Sequence, residues 1–99
     1  MQIIISFGSS ISQTVIKIDD AKPLFLVNDK PKDIDINRFI MRMQSIISSW
    51  QYTMINNRII DGSWYDIKIK SGDNKRHYVG KNAYPQNYDE FISLLNEVI

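Results

Sequence analysis

Runs of β-forming residues broken by turn signals fill the first third of the chain, and where apolar and polar residues alternate, the period of two marks a strand with one buried face. Residues 2–7 are isoleucine-rich and end on Phe7, and Gly8-Ser9-Ser10 interrupts them. Residues 11–18 then set Ser12, Thr14, Ile16 and Ile18 on one side and Ile11, Gln13, Val15 and Lys17 on the other. Two such runs around a glycine-serine break predict a hairpin. Asp19-Asp20-Ala21-Lys22-Pro23 ends the second run, residues 24–27 make a short apolar third strand, and Asn28-Asp29-Lys30-Pro31 breaks the pattern again.

The period then changes. Ile36, Phe39, Ile40, Met43, Ile46, Ile47 and Trp50 recur at spacings of mostly three and four, leaving Arg38, Arg42, Gln44 and Ser45 toward water. That is an amphipathic helix, with Asp33 or Asp35 as its N-cap. Residues 52–60 are β-rich but carry Asn56-Asn57, which predicts a fourth strand with a bulge or turn there, and Asp61-Gly62 is a strong short signal for a hairpin. Residues 64–70 alternate strictly, with Tyr65, Ile67 and Ile69 one way and Trp64, Asp66, Lys68 and Lys70 the other. Ser71-Gly72-Asp73-Asn74 turns the chain and residues 75–80 return as a sixth strand.

Gly80-Lys81-Asn82-Ala83-Tyr84-Pro85 ends that strand, and a last helix starts at Tyr88 with Phe91, Ile92, Leu95, Val98 and Ile99 facing inward. Asn87 is placed to accept hydrogen bonds from the free amides of its first turn, and Glu90 stands three residues on, the capping-box spacing. Asp89 and Glu90 complement the helix dipole. The expectation is one α+β domain over residues 1–99: an antiparallel sheet of about six strands in the order βββαβββα, with both helices packed on one face.

Composition narrows the function classes. The 99 residues include no cysteine, which removes disulfides, thiolate metal sites and thiol nucleophiles together. The amino terminus has no basic leader region, and Ile3-Ile4-Ile5 is far too short for a signal or membrane segment, so the expected location is cytoplasmic, away from membranes. Twelve basic residues against eleven acidic give a net charge of +1, too balanced for bulk attraction to duplex DNA or an anionic bilayer. Residues 58–81 hold a local excess, with Arg58, Lys68, Lys70, Lys75, Arg76 and Lys81 against Asp61, Asp66 and Asp73. Eighteen isoleucines, eight asparagines and a two-to-one ratio of lysine to arginine are the usage of an AT-rich genome.

Catalytic chemistry finds little support. His77 is the single histidine and has no second imidazole or thiol to complete a site. Asp19-Asp20 reads as a turn and Asp33 or Asp35 as a cap rather than as magnesium ligands. The glycines at 8, 62, 72 and 80 stand at strand ends in no phosphate-binding spacing, and the serines lack a nucleophile elbow. No cofactor, metal or catalytic residue is expected. The stronger candidate is a strand face on which Trp64, Lys68 and Lys70 are joined across the turn by Lys75, Arg76, His77 and Tyr78, with Lys81 and Tyr84 beyond. Rings interleaved with cations suit a protein interface, and they also suit single-stranded nucleic acid.

Taken together, Asp61-Gly62-Ser63-Trp64, Gly80-Lys81-Asn82-Ala83-Tyr84-Pro85 and Asn87-Tyr88-Asp89-Glu90-Phe91 resemble a pattern of small uncharacterised bacterial and mobile-element proteins, over about the last forty residues. The resemblance implies no activity, cofactor or catalytic residue. The functional expectation is therefore a non-catalytic protein-binding module, in the manner of a phage or mobile-element inhibitor of a host protein, with a CRISPR nuclease as one target class. The alternative is a single-stranded nucleic-acid or RNA-binding module using Trp64, Lys68, Lys70, Arg76 and Tyr78.

Overall fold

The computed structural model describes residues 1–56, 58 and 62–99. Its strands are β1 (Gln2–Gly8), β2 (Gln13–Asp19), β3 (Leu24–Val27), β4 (Lys30–Pro31), β5 (Thr53–Ile55), β6 (Trp64–Ser71) and β7 (Asn74–Lys81). Helix α1 (Ile36–Ile47) falls between β4 and β5, and α2 (Tyr88–Asn96) follows β7. All seven strands form one sheet in the order β4-β3-β2-β1-β6-β7-β5. This is an α+β domain, but its sheet is mixed and has one strand more than the alternation predicts.

The extra strand is β4. Asn28 and Asp29 both adopt positive φ, 50° and 67°, which is the requirement of a two-residue mirror-image hairpin turn, so Lys30 returns opposite Val27. Two residues are too few to show a period. Asn28 also stands in for a strand residue, because its Oδ1 accepts from the Val15 amide at 2.9 Å while its own amide donates to the Val15 carbonyl at 2.8 Å.

The second correction concerns β5. An antiparallel hairpin between the fourth strand and β6 is impossible, because β6 is flanked on both sides, by β1 and β7. Strand β5 instead pairs in parallel with β7 at the sheet edge, through Thr53 with Val79, Met54 with Gly80 and Ile55 with Lys81. The bulge expected at Asn57, the strand expected through Ile60 and the turn at Asp61 lie outside the described residues.

One face of this sheet makes the core. Across the strands, Phe25, Ile18, Ile3 and Ile69 form one row and Val27, Ile16, Ile5, Ile67 and Tyr78 the next, all buried. Each fully buried isoleucine contributes roughly 1.5–3 kcal/mol of hydrophobic stabilisation. A third row runs through Phe7, Tyr65 and Gly80. The Tyr65 ring lies over Gly80 so closely that a β-carbon at position 80 would fall 2.0 Å from Tyr65 Cε1. Glycine is required there by close approach and at Gly72 by a φ of 59° in the β6–β7 hairpin turn.

Helix α1 covers this face with Phe39, Ile40, Met43 and Ile47. Asp35, the second of the two candidate caps, accepts from the Arg38 amide at 3.1 Å. Helix α2 adds Phe91, Leu94 and Leu95, and Val98 follows. The predicted stripe is thus shifted by part of a turn: Leu94 is buried, Ile92 is only half-buried and Ile99 is exposed. Arg42 and Glu97 clamp the two helices from outside through a bidentate pair at 2.9 and 2.6 Å.

Asn87 occupies the N-cap position of α2, yet its side chain makes no cap hydrogen bond. Its Oδ1 accepts from the Trp50 indole Nε1 at 2.6 Å, and its Nδ2 donates to the Ile46 carbonyl at 2.8 Å. The Ile46 carbonyl is free because the helix tightens at its end, where the Trp50 amide bonds to Ile47 instead of to the residue four back. The capping-box expectation is overturned: the side chain is committed to joining two helices. Asn87→Ser separates these roles, since serine caps as well as asparagine but cannot reach both partners. We expect a loss of roughly 1–3 kcal/mol or more in urea denaturation, the cost of stranding buried polar groups. Wild-type stability in that variant would return the residue to a capping role.

Candidate functional site

The face turned away from the helices has no cover, and cross-strand register fixes what it presents. Outward positions are Gln2, Ile4 and Ser6 on β1, Val15 and Lys17 on β2, Trp64, Asp66, Lys68 and Lys70 on β6, and Lys75, His77, Val79 and Lys81 on β7. One row across the sheet reads Leu26, Lys17, Ile4, Lys68, His77, and the next Asp19, Gln2, Lys70, Lys75. Five lysines and a histidine therefore lie on this face, of which Lys17 pairs with Asp29 at 3.7 Å, and the acidic members of the face are engaged locally. Asp66 Oδ1 holds His77 Nε2 at 2.9 Å, and Asp19 accepts from the Ala21 amide and the Gln2 side chain.

Two features of this face are costly to the fold. Lys70 and Lys75 stand directly opposite each other, and like charges in that relation are destabilising. Ile4, on the central strand, keeps 41% of its surface exposed at an outward position, where its neighbours Gln2 and Ser6 are polar. A shallow depression of about 330 Å³ lies over Ile4, lined also by Gln2, Lys68, Lys70, Lys75, Arg76 and His77.

Of the eight residues singled out from sequence, Trp64, Lys68, Lys70, Lys75 and Lys81 share this face. Trp64 lies at one end, half-buried, with Nε1 donating to the Ser9 carbonyl at 3.4 Å and Lys81 opposite. Tyr78 does not join them, and Arg76, on the opposite parity of the strand, only borders the depression. Four consecutive residues of a strand cannot point one way, and both alternate to the helix side, where Tyr78 is buried with its ring 5.0 Å from that of Tyr52. Tyr84 is also elsewhere. It ends an aromatic stack, with its ring 4.7 Å from Tyr88, which contacts Tyr65 and Trp50, and its hydroxyl bonds to the Ser63 hydroxyl. Burial, with the nearby Tyr84 and Tyr65 hydroxyls, pushes the Tyr88 phenol up to about 12, and burial alone raises Tyr65. The Tyr65 and Tyr88 rings pack the core's end, and both phenols stay uncharged.

Sequence reasoning did not assign Ile4 or Lys17 to the site. Lys17 carried a signal, since alternation puts it opposite to Ile16 and Ile18, but only register brings it beside Ile4. Among the described residues no three His, Asp or Glu side chains gather closely enough to hold a metal ion. No described helix is long and apolar enough to cross a membrane. Comparison with protein-family models, curated proteins and solved structures finds no match to this chain.

Two carboxylates at the borders of these elements are tuned. Burial acts to raise Asp19, but the Ala21 and Lys22 amides, the Gln2 side chain and the Lys22 charge outweigh it and the net shift is downward. The hydrogen bonds and charge of Arg42 lower Glu97. A group whose folded value is depressed favours folding above its unfolded value, about 4 for a carboxylate, and that contribution is lost as pH falls through the folded value. The melting temperature should hold between about pH 7 and about pH 5 and fall below about pH 4. An Asp19→Asn/Glu97→Gln variant should start lower and fall less. An acid limb of unchanged steepness would show that neither carboxylate carries it.

Proposed function

We propose that this chain is a non-catalytic protein-binding module that docks its open sheet face on an acidic surface of a partner protein and acts by covering it. The observation that carries the reading is the gathering of Lys68, Lys70, Lys75 and His77 around exposed Ile4, with Lys17 on its other flank. The repulsion between Lys70 and Lys75 is relieved only when carboxylates or other anions approach. Positive patches of this kind steer encounter and reject basic surfaces, while the apolar centre resists dissociation. An inhibitor working by occlusion needs no more than this; one that mimicked nucleic acid would need rows of carboxylates, the opposite sign.

Protein is preferred over single-stranded nucleic acid because a strand-binding platform stacks bases on rings set along the sheet. Here Tyr78 is in the core, Tyr84 belongs to the helix-side stack, and Trp64 lies at the end of the face. The test uses a Lys68→Glu/Lys75→Glu variant, checked for folding by circular dichroism. From a nuclease-treated bacterial lysate, the wild type should capture a protein that the variant does not, and neither should bind labelled single-stranded DNA or RNA at micromolar concentration in physiological salt. Micromolar or tighter nucleic-acid binding that falls with salt by a log–log slope near −0.7 per phosphate, and that the variant loses, would replace the protein reading with the nucleic-acid one.

A further inference from the structure

We infer that the depression over Ile4 is the anchor site of this face and takes one aliphatic side chain of an acidic segment, with carboxylates on either side of that side chain reaching the surrounding lysines. The inference rests on the protein-binding reading and specifies the partner's chemistry. Ile4, the outward side chain of the central strand, lines the depression together with Gln2, Lys68, Lys70, Lys75, Arg76 and His77. Lysine stems are apolar for most of their length and carry the charge at the tip. The depression is thus oily at the bottom and cationic at the rim. At about 330 Å³ it is at the small end of ligand pockets, which fits a side chain better than a cofactor.

Register gives the rim its geometry. Ile4 has Lys17 on one side and Lys68 on the other, with His77 beyond Lys68, and the next row places Lys70 and Lys75 as a pair. Asp66 holds His77 at 2.9 Å and Asp29 pairs with Lys17 at 3.7 Å, so among the described residues Lys68, Lys70 and Lys75 are the rim lysines without an ion pair. A purely cationic patch would attract any anion. The exposed isoleucine at its centre distinguishes an acidic peptide with an apolar residue from an equally charged one without it, since burying apolar surface against it is favourable.

The probes are two synthetic peptides, one with a single leucine between pairs of glutamates and one with alanine in place of that leucine, titrated at physiological ionic strength and followed by NMR. The leucine peptide should bind about tenfold more tightly, a difference of ~1.4 kcal/mol, and should shift the Ile4 methyl signals and the Lys68 and His77 amides. Ile4→Lys, with folding checked by circular dichroism, should abolish the difference between the peptides, while Lys75→Glu should weaken both. Equal affinity for the two peptides, or shifts confined to other parts of the chain, would overturn the anchor. A single-stranded oligonucleotide displacing the leucine peptide at lower concentration than the alanine peptide does would also overturn it. In the lysate capture, a partner lost by Lys68→Glu/Lys75→Glu but kept by Ile4→Lys would sink the anchor and leave the wider reading standing. A partner kept by both variants would sink the wider reading itself.

Discussion

Asn87 makes two hydrogen bonds that the helices cannot make for themselves. The end of α1 leaves the Ile46 carbonyl without its usual amide, and the Trp50 indole brings a donor into the core, where a lone N–H is expensive. A single amide side chain from the start of α2 satisfies both, as donor to one and acceptor from the other. Trp50 is then fixed where its ring meets Tyr65 on the sheet at 5.3 Å, Phe91 on α2 at 5.1 Å and Tyr88 at 6.1 Å. Three layers of the molecule meet at this residue, so the packing of both helices on the sheet depends on that polar link.

With both helices committed to one face, the other face is left to solvent, and its composition is free of core constraints. Most of it follows the usual rule for a half-covered antiparallel sheet, polar outside and apolar inside. Two departures from the rule, the Lys70–Lys75 opposition and the exposed Ile4, adjoin one another across β1, β6 and β7. Departures from local consistency that bring no return in stability are where function is to be sought. The sheet's edges support this division. Strand β4 is blunted by Pro31 and Lys30, which discourage pairing at that end.

Much of the architecture was legible in period alone. Alternation located β2 and β6, β-forming runs and turn residues located β1, β3 and β7, and alternation separated Ile67 and Ile69 from Lys68 and Lys70 correctly, because the period is a local property of the backbone. Pairing is not local. That β1 runs between β2 and β6, or that β5 joins β7 in parallel, depends on which edges remain open, and nothing within residues 53–55 specifies it. The binding face was half legible for the same reason: Lys68, Lys70 and Lys75 follow from alternation around a short turn, whereas Lys17 and Ile4 come from strands distant in sequence. Arg76 and Tyr78 were misplaced where a run of attractive residue types was preferred over the alternation that governs them. Asn87 shows the same contrast. Its position before a helix is a local signal, and the side chain is diverted by partners on α1 and beyond its end.

The most direct test of the account is native-state hydrogen exchange of the Trp50 indole proton across a urea series. If the Asn87 link holds the layers together, that proton exchanges only through global unfolding, with the same free energy and urea dependence as the amides of Ile3 and Ile5 in the central strand. Exchange through a local opening, at much lower free energy and insensitive to urea, would mean that the helices separate without unfolding the sheet, contradicting the central role assigned to this contact.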